Sequence, residues 1–161
     1  LLLIRHGQSL GNAGLSEDPD CALSPLGSDQ GHAAGLIVAA HELDGFVGIV
    51  SPYRRARETA ACITAATKIP FVVDELVREW AFSGPATVNG VLYPLETVES
   101  LVERLGFFLR VHRGAKLLIV SHAGPIAVLT QLAWGETPNP HAGVLNATPR
   151  WLKVTATRGA G

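Results

Sequence analysis

Short runs of consecutive apolar residues alternate along this chain with longer stretches in which apolar residues recur every three or four positions. An uninterrupted short run is typical of a strand buried on both faces, and the wider spacing is typical of an amphipathic helix. The predicted strands are residues 1–4, 46–50, 71–73, 116–120 and 151–155. The predicted helices are residues 24–40, 56–66, 98–109 and a segment beginning at Pro125. This alternation predicts an α/β three-layer sandwich, a mostly parallel sheet with helices on both faces.

Two segments carry more specific local signals. Ser24 and Pro25 supply an N-cap and a first-turn proline for the first predicted helix. The spacing of its residues predicts one mostly apolar face, made of Leu26, Gln30, Ala33, Ile37 and Ala40. Residues 81–95, by contrast, show little periodicity and contain several glycines and prolines, which predicts a surface loop.

Composition supports one folded domain over residues 1–161, since a domain takes roughly 100–200 residues. Apolar residues make up 47% of the chain and charged residues 17%, against a usual charged share of about 25%, so we expect a substantial core. The net charge of -1 gives no support to a nucleic-acid partner or to attraction by a membrane surface. No apolar run approaches the roughly 18 residues of a membrane span.

The remaining compositional features suggest a soluble cytoplasmic protein. The opening apolar run ends at Arg5 and is too short for a signal peptide. Cys21 and Cys62 lie far apart without the spacing of a metal-binding pair, so we expect two reduced thiols. The basic residues are ten Arg and only three Lys, an excess that favours anion recognition because guanidinium groups match anions bidentately. The oligomeric state is left open.

Basic, imidazole and carboxylate side chains follow the predicted strands. In chain order they are Arg5, His6, Arg54, Arg55, Glu75, Glu79 and His122. Ligands of open α/β sheets bind outside the carboxyl ends of the strands, so we expect these side chains on one rim. Guanidinium groups match phosphate oxygens, and a neutral imidazole is a nucleophile near pH 7. A carboxylic acid with a raised pKa can protonate a leaving alkoxide, so the set predicts phosphoryl transfer.

Four motifs in this order resemble a known family. Residues 3–9 (LIRHGQS), with Asn12 beyond, resemble the signature of the histidine phosphatase superfamily, the phosphoglycerate-mutase-like proteins. Residues 23–30 (LSPLGSDQ), 51–60 (SPYRRARETA) and 120–124 (VSHAG) are similar to its first helix entry, second arginine motif and second histidine motif. The resemblance runs along nearly the whole chain and implies a mixed sheet flanked by helices.

The resemblance also implies a role for each matching residue. His6 would be the nucleophile that becomes phosphohistidine, and Glu79 would be the proton donor to the leaving group, with Glu75 as the alternative acid. The phosphate pocket would consist of Arg5, Arg55, His122 and Asn12. One departure follows the acid, where the family usually has a Phe-Gly-x-Trp-Glu-Gly-like stretch and this chain has residues 80–86 (WAFSGPA).

The family includes hydrolases and mutases, and the loops distinguish them. Residues 81–95 contain no charged residue, whereas the cofactor-dependent mutases carry a long, basic insertion there; residues 11–30 contain acidic residues but no Lys or Arg. We therefore expect a phosphomonoester phosphatase acting on small substrates with uncharged bodies. The side chains expected to contact those bodies are Phe82, Val88, Val91, Leu92 and Tyr93. A mutase, a protein phosphohistidine phosphatase and a non-catalytic phosphate-binding module remain alternatives.

No metal or cofactor is expected. The six histidines include no His-Glu-x-x-His motif, and the cysteines form no Cys-x-x-Cys motif. The histidines outside the two motifs are expected to be structural: His32, His41, His112 and His141. The glycosylation-type triplet at residues 146–148 is interpreted as chance.

Overall fold

A parallel sheet with helices packed on it organises the computed structural model, which describes residues 1–154. The strands in this range are β1 (Leu2–Arg5), β2 (Phe46–Val50), β3 (Phe71–Val73), β4 (Ala86–Val88), β5 (Val91–Tyr93), β6 (Lys116–Ser121) and β7 (Arg150–Trp151). The α-helices are α1 (Pro25–Ala39), α2 (Arg54–Thr67), α3 (Val98–Val111) and α4 (Ala123–Trp134), with a 3-10 turn at Glu75–Val77. The predicted α/β alternation is confirmed, although α4 begins two residues before Pro125. Among the described helices, none has the length and apolar composition needed to cross a membrane.

The strand β1 lies inside the central sheet, whose order is β3-β2-β6-β1-β7. The first four strands of this order are parallel, and β7 runs antiparallel to β1. Parallel pairing brings the carboxyl ends of β1, β2 and β6 to the same edge, which is where the candidate residues follow. The last strand is shorter than the predicted segment 151–155, of which Thr155 lies outside the described residues.

The two faces of the sheet carry separate hydrophobic cores, because successive side chains of a strand point to opposite sides. Leu3 and Ile119 pack with Leu105 of α3 and Ile126 of α4. Leu2, their neighbour along β1, belongs to the other core together with residues of α1 and α2. Helices therefore cover both faces, as the sequence predicted.

The predicted buried face of α1 is wrong. Leu26 and Ile37 are 53% and 51% exposed. The residues that α1 does bury are Gly27, Gly31, Ala34, Gly35 and Val38. A Cβ atom on Gly31 or Gly35 would lie 3.2 Å or less from atoms of α2, so the two helices approach too closely for larger side chains. The close approach, rather than hydrophobicity, selects the buried face. The predicted cap is confirmed, since Ser24 Oγ accepts the hydrogen bond of Gly27 N.

Residues 81–95 are not the irregular loop that the sequence predicted, because β4 and β5 form an antiparallel hairpin there. Asn89 and Gly90 connect the strands with φ values of 50° and 76°. An Asn-Gly pair with two positive φ angles is the favoured two-residue hairpin connection. The prediction of a loop rested on the number of glycines and prolines in this segment and overlooked that signal. Val88 and Tyr93 are buried against Tyr53, so the hairpin is anchored at the edge of the candidate site.

Candidate active site

The end of β1 presents Arg5 and His6. The His6 ring is almost fully buried, and its Nδ1 lies 2.6 Å from Gly7 O. Since a carbonyl oxygen only accepts hydrogen bonds, Nδ1 carries the proton and Nε2 is unprotonated, with a lone pair that can accept a hydrogen bond. Arg5 is fixed by a 2.7 Å hydrogen bond from Nη1 to Val144 O. The strand thus delivers an oriented, neutral imidazole beside a guanidinium group.

Arg55, in the first turn of α2, contacts both His6 and Glu79. Its Nε donates to His6 Nε2 at 3.1 Å, and its Nη2 donates to Glu79 Oε2 at 3.2 Å. Nη1 donates to Pro19 O at 2.7 Å, which ties the acidic 17–20 loop to the site. The residue is 8% exposed, so these interactions are made in a largely desolvated setting.

His122 follows β6 at the N-cap of α4 and is fully buried. Its Nε2 lies 2.7 Å from Ser51 Oγ, which also accepts the hydrogen bond of Tyr53 N. The Ser51 hydroxyl can therefore donate to Nε2, which leaves the proton of His122 on Nδ1. The two imidazole rings are 5.1 Å apart between centroids. His122 is thus oriented by Ser51, with its donor atom Nδ1 on the side of Glu79.

Glu79 completes the cluster from the segment after the 3-10 turn. Its Oε2 lies 3.2 Å from His122 Nδ1, and its Oε1 accepts the hydrogen bond of Trp80 N. Glu75, the alternative acid, instead accepts a hydrogen bond from Tyr93 Oη at 3.0 Å. The geometry therefore favours Glu79 over Glu75 as the carboxylate of the cluster.

The pKa values of the cluster shift in ways that matter for its chemistry. Burial lowers the pKa of His6 well below its ordinary value of 6.5, and His122 and Arg55 lower it further. Burial also lowers the pKa of His122. Burial alone would raise the pKa of Glu79, but His122 and Arg55 outweigh it and lower that pKa below its usual range. The pKa of this carboxyl group is therefore lowered rather than raised, because the combined effect of His122 and Arg55 exceeds that of burial.

Two buried donors of the cluster have no hydrogen-bond partner within residues 1–154. They are Arg5 Nε and His122 Nδ1, the latter lying near Glu79 Oε2 without hydrogen-bond geometry. Leaving a buried donor unsatisfied costs about 1–3 kcal/mol. An oxyanion placed between these groups would accept from both, so the unpaired donors are suited to bind an anion.

Asn12, the remaining predicted site residue, makes its side-chain hydrogen bond within the loop after His6 rather than to the cluster. The residue is exposed, and its Oδ1 accepts the hydrogen bond of Ser9 N at 3.1 Å. Ser9 Oγ in turn accepts the hydrogen bond of Asn12 N. In the unliganded protein Asn12 therefore shapes the loop after His6.

Three residues that support the cluster were missed from the sequence. Asn146 Nδ2 donates to His6 O at 2.9 Å, and Thr59 Oγ1 accepts from Gly7 N at 3.0 Å. Ser51 orients His122 as described above. Ser51 and Thr59 lie in the motif at residues 51–60 and could have been chosen for their position after β2. Asn146 comes from a segment without periodicity, and no local signal points to it.

The cluster also raises the question of a metal, which sequence spacing did not. Ligand atoms of His6, Glu79 and His122 lie within 4.8 Å of one another. Two imidazoles and a carboxylate are a known zinc set. Here, however, Arg55 donates to both His6 and Glu79, and a guanidinium group in that place repels a cation. The arrangement suits an anion better than a metal ion.

A cleft of about 600 Å³ opens beside Arg5 and Glu79. Its lining residues are Arg5, Glu79, Trp80, Phe82, Ala123, Gly124, Pro140, His141, Ala142, Gly143, Val144 and Leu145. Half of this lining comes from residues 140–145, for which no motif in the sequence predicts a place in the site. His141, expected to be structural, lies in the wall of this cleft.

The sequence belongs to the histidine phosphatase superfamily (branch 1), whose family model matches residues 1–87. Those residues contain His6, Arg55 and Glu79, and the resemblance drawn from the motifs is confirmed. No curated protein matches the sequence.

Solved structures of phosphatases share the fold. A mycobacterial glucosyl-3-phosphoglycerate phosphatase in complex with VO3 is similar with a TM-score of 0.71 and 22% identity, over 92% of this chain and 88% of that one. A phosphoserine phosphatase from Entamoeba histolytica in complex with 3-phosphoglyceric acid has a TM-score of 0.68 and 19% identity, over 92% and 87%. A putative alpha-ribazole-5'-P phosphatase from Escherichia coli has a TM-score of 0.67 and 17% identity, over 85% and 80%. At these identities the likeness establishes the fold.

Proposed function

We propose that this protein is a phosphomonoester phosphatase that works through a phosphohistidine intermediate on His6. The observation that carries the proposal is the pair of buried, unpartnered donors, Arg5 Nε and His122 Nδ1, beside a neutral imidazole. Phosphate oxygens accept hydrogen bonds from such donors, and Arg55 adds a guanidinium group to the same place. Family membership and the phosphatase neighbours support the same reaction class.

In the first step, the Nε2 lone pair of His6 attacks the phosphorus of the bound monoester. The bond from phosphorus to the ester oxygen breaks, and that oxygen takes a proton from Glu79. Charge on the loosely held phosphoryl group is stabilised by Arg5, Arg55 and His122, which are fixed before the reaction starts. For this step Arg55 Nε must leave His6 Nε2 and bind a phosphate oxygen instead.

The proton on Glu79 arrives with the substrate. In the unliganded protein the carboxylate is ionised, because His122 and Arg55 lower its pKa against the effect of burial. A bound phosphate group adds negative charge beside Glu79 and offsets the guanidinium group of Arg55, which favours the protonated acid. A monoester that binds as its monoanion can also supply the proton directly.

In the second step, a water molecule replaces the departed alcohol. Glu79, now a carboxylate, takes a proton from the water as its oxygen bonds to phosphorus. The bond between phosphorus and His6 Nε2 breaks, and inorganic phosphate leaves. The cleft next to Glu79 is large enough for a water molecule to reach this position.

The central test replaces His6 with Ala and compares it with His32→Ala, which removes an exposed histidine of α1. We expect His6→Ala to abolish turnover of an aryl phosphate and His32→Ala to retain it. A radiolabelled substrate quenched in base should leave acid-labile phosphate on the wild type only. Retained turnover in His6→Ala would refute the phosphohistidine mechanism.

The same assay separates the alternatives. Release of inorganic phosphate from simple monoesters identifies a phosphatase, and transfer of the label to an added alcohol or phosphoglycerate identifies a mutase. Preferential turnover of a phosphohistidine peptide identifies a protein phosphohistidine phosphatase. Phosphate binding without turnover of any of these compounds identifies a binding module.

A further inference from the structure

Beyond the phosphate site, the cleft continues along three aromatic rings. Phe82 and Trp80 have centroids 4.9 Å apart and are tilted by 37°. His141 meets both rings edge-on, at 5.1 Å from Trp80 and 6.0 Å from Phe82. Because Trp80 directly follows Glu79 in the chain, this aromatic wall begins at the acid of the proposed reaction. The leaving group of a monoester held on Arg5 and His6 would extend along it.

The aromatic wall is fixed from behind. The Trp80 indole is 6% exposed, and its Nε1 donates to Glu96 O at 2.9 Å. A Cβ atom on Gly124 would lie 3.4 Å from the indole, so this small residue lets α4 pack closely on it. Phe82, in front of that support, is 58% exposed. An exposed ring on a rigid base can bury apolar area against a ligand with little loss of its own conformational freedom.

The charges in the cleft limit what such a ligand can carry. Among the described residues that line it, the ionisable side chains are Arg5, Glu79 and His141. Arg5 and Glu79 belong to the reaction site, so no Lys or further Arg is left for a carboxylate or second phosphate. The 17–20 loop, which contacts Arg55 through Pro19, adds three carboxylates near the site. A second anionic group would therefore lack a partner.

We infer that Phe82 and His141 form a binding subsite for a planar, uncharged aromatic group on the leaving-group side of the substrate. This inference rests on the proposed phosphatase function and specifies its substrate class. It also revises the contacts expected from the sequence. Val88 and Tyr93 are buried in the hairpin, and Val91 and Leu92 lie outside the cleft.

The test compares kcat/KM for 2-naphthyl phosphate and methyl phosphate in Phe82→Ala. We expect kcat/KM for the naphthyl ester to fall about tenfold, as expected for the loss of a well-packed aromatic contact, and that for the methyl ester to stay within about twofold. His141→Ala should also lower kcat/KM for the naphthyl ester more than that for the methyl ester. Phe82→Tyr should retain the wild-type ratio of the two kcat/KM values. Phe107→Ala, which removes a half-exposed ring from α3, serves as the matched control.

Several results would overturn the subsite. Equal losses for both esters in Phe82→Ala would mean that the ring supports the fold or Glu79, and unchanged naphthyl turnover would mean that it contacts no leaving group. A wild-type kcat/KM for 3-phosphoglycerate or fructose 2,6-bisphosphate that is tenfold above that for 2-naphthyl phosphate would contradict the inference that a second anionic group lacks a partner.

A binding measurement distinguishes failure of the aromatic subsite from failure of the proposed phosphatase function. Naphthalene-2-phosphonate and methylphosphonate carry a phosphorus group that cannot be hydrolysed, so calorimetry measures their affinity whether or not the protein is a phosphatase. We expect the wild type to bind the naphthyl compound more tightly and Phe82→Ala to lose that difference. If no monoester is turned over but this difference persists, the proposed function fails and the subsite stands. Equal affinities of the two compounds for the wild type would overturn the subsite.

Discussion

Arg55 connects the nucleophile and the acid of the proposed reaction in a single side chain. In the unliganded protein its Nε occupies the lone pair of His6 Nε2, and its Nη2 holds Glu79. A substrate phosphate must take over the first of these contacts before His6 can attack. The guanidinium group therefore positions both reacting groups and donates a hydrogen bond to each of them until an anion binds.

At the residue scale, the lowered pKa values predict an unusual pH dependence. Because the pKa of His6 is well below 6.5, His6 stays neutral and nucleophilic in mildly acidic solution. Because the pKa of Glu79 is also low, this acid is mostly ionised over the same pH range, and its protonated fraction continues to rise as the pH falls. We expect kcat/KM for an alkyl phosphate to rise from about pH 8 to about pH 5, with a weaker rise for p-nitrophenyl phosphate, whose leaving group needs less protonation. A decrease with a midpoint near 6.5 would show that His6 titrates normally.

Part of the cluster was predictable because three of its members lie at the ends of parallel strands. Arg5, His6 and His122 stand at the ends of β1 and β6, and parallel pairing makes those ends meet. Asn146 was not predictable, since its contact with His6 O spans 140 positions and depends on how the segment before β7 returns to β1. The direction of the Glu79 shift was equally hidden, because it depends on distances to Arg55 and His122.

At the element scale, the start of α1 lies directly against the loop that carries His6. A Cβ atom on Gly27 would lie 1.9 Å from Gln8 O, a backbone atom that cannot move alone. We expect Gly27→Ala to reduce the free energy of unfolding by about 1–3 kcal/mol or more and to impair turnover by displacing the loop. Urea unfolding and kcat/KM measure the two effects.

Gly106→Ala in α3 is the control for this substitution. Its Cβ atom would meet only Arg110 Nη1, at 3.5 Å, so it should be neutral or stabilise by about 0.5–1 kcal/mol, as Ala does in a helix interior. Equal effects at Gly27 and Gly106 would contradict the close approach of α1 and the loop.

A buried ion pair holds the segment that presents Glu79. Arg104 of α3 donates to both carboxylate oxygens of Glu96, at 2.8 and 2.6 Å, and to Leu76 O. Removing one partner of such a pair leaves a buried charge uncompensated, so we expect Arg104→Met to lose about 3–5 kcal/mol of unfolding free energy. Arg110→Met, on an exposed position of the same helix, should change it little. A loss below about 1 kcal/mol in Arg104→Met would show that Glu96 finds water or another donor.

The elements that sequence patterns described well are those whose burial follows hydrophobicity. The stripe of α3 and the strands β1 and β6 are of this kind. The buried face of α1 follows instead from the close contact of Gly31 and Gly35 with α2, which a count of apolar residues cannot detect. The β4–β5 hairpin depends on positive φ angles at Asn89 and Gly90. In the sequence, Gly90 was interpreted only as a break in regular structure, and Asn89 was not considered.

For the whole molecule, the two guanidinium groups and the unpaired donors of the site predict anion binding without a metal. We expect inorganic phosphate to inhibit competitively, because it would satisfy Arg5 Nε and His122 Nδ1. A chelator should leave kcat unchanged, and added Zn²⁺ should not increase it, since a cation must displace Arg55 to reach His6 and Glu79. Loss of activity in chelator with recovery by a divalent cation would identify a metal enzyme.

The position of β1 between β6 and β7 has a consequence for biosynthesis. Its four residues directly precede the proposed nucleophile, His6, yet both of its neighbours in the sheet are encoded more than 110 positions later, at residues 116–121 and 150–151. A ribosome that adds roughly 5–20 residues per second therefore leaves the apolar β1 segment without its sheet partners for several seconds. The nascent chain carries the family signature long before the proposed phosphate site can assemble, so acquisition of phosphate binding would mark the last stage of its folding.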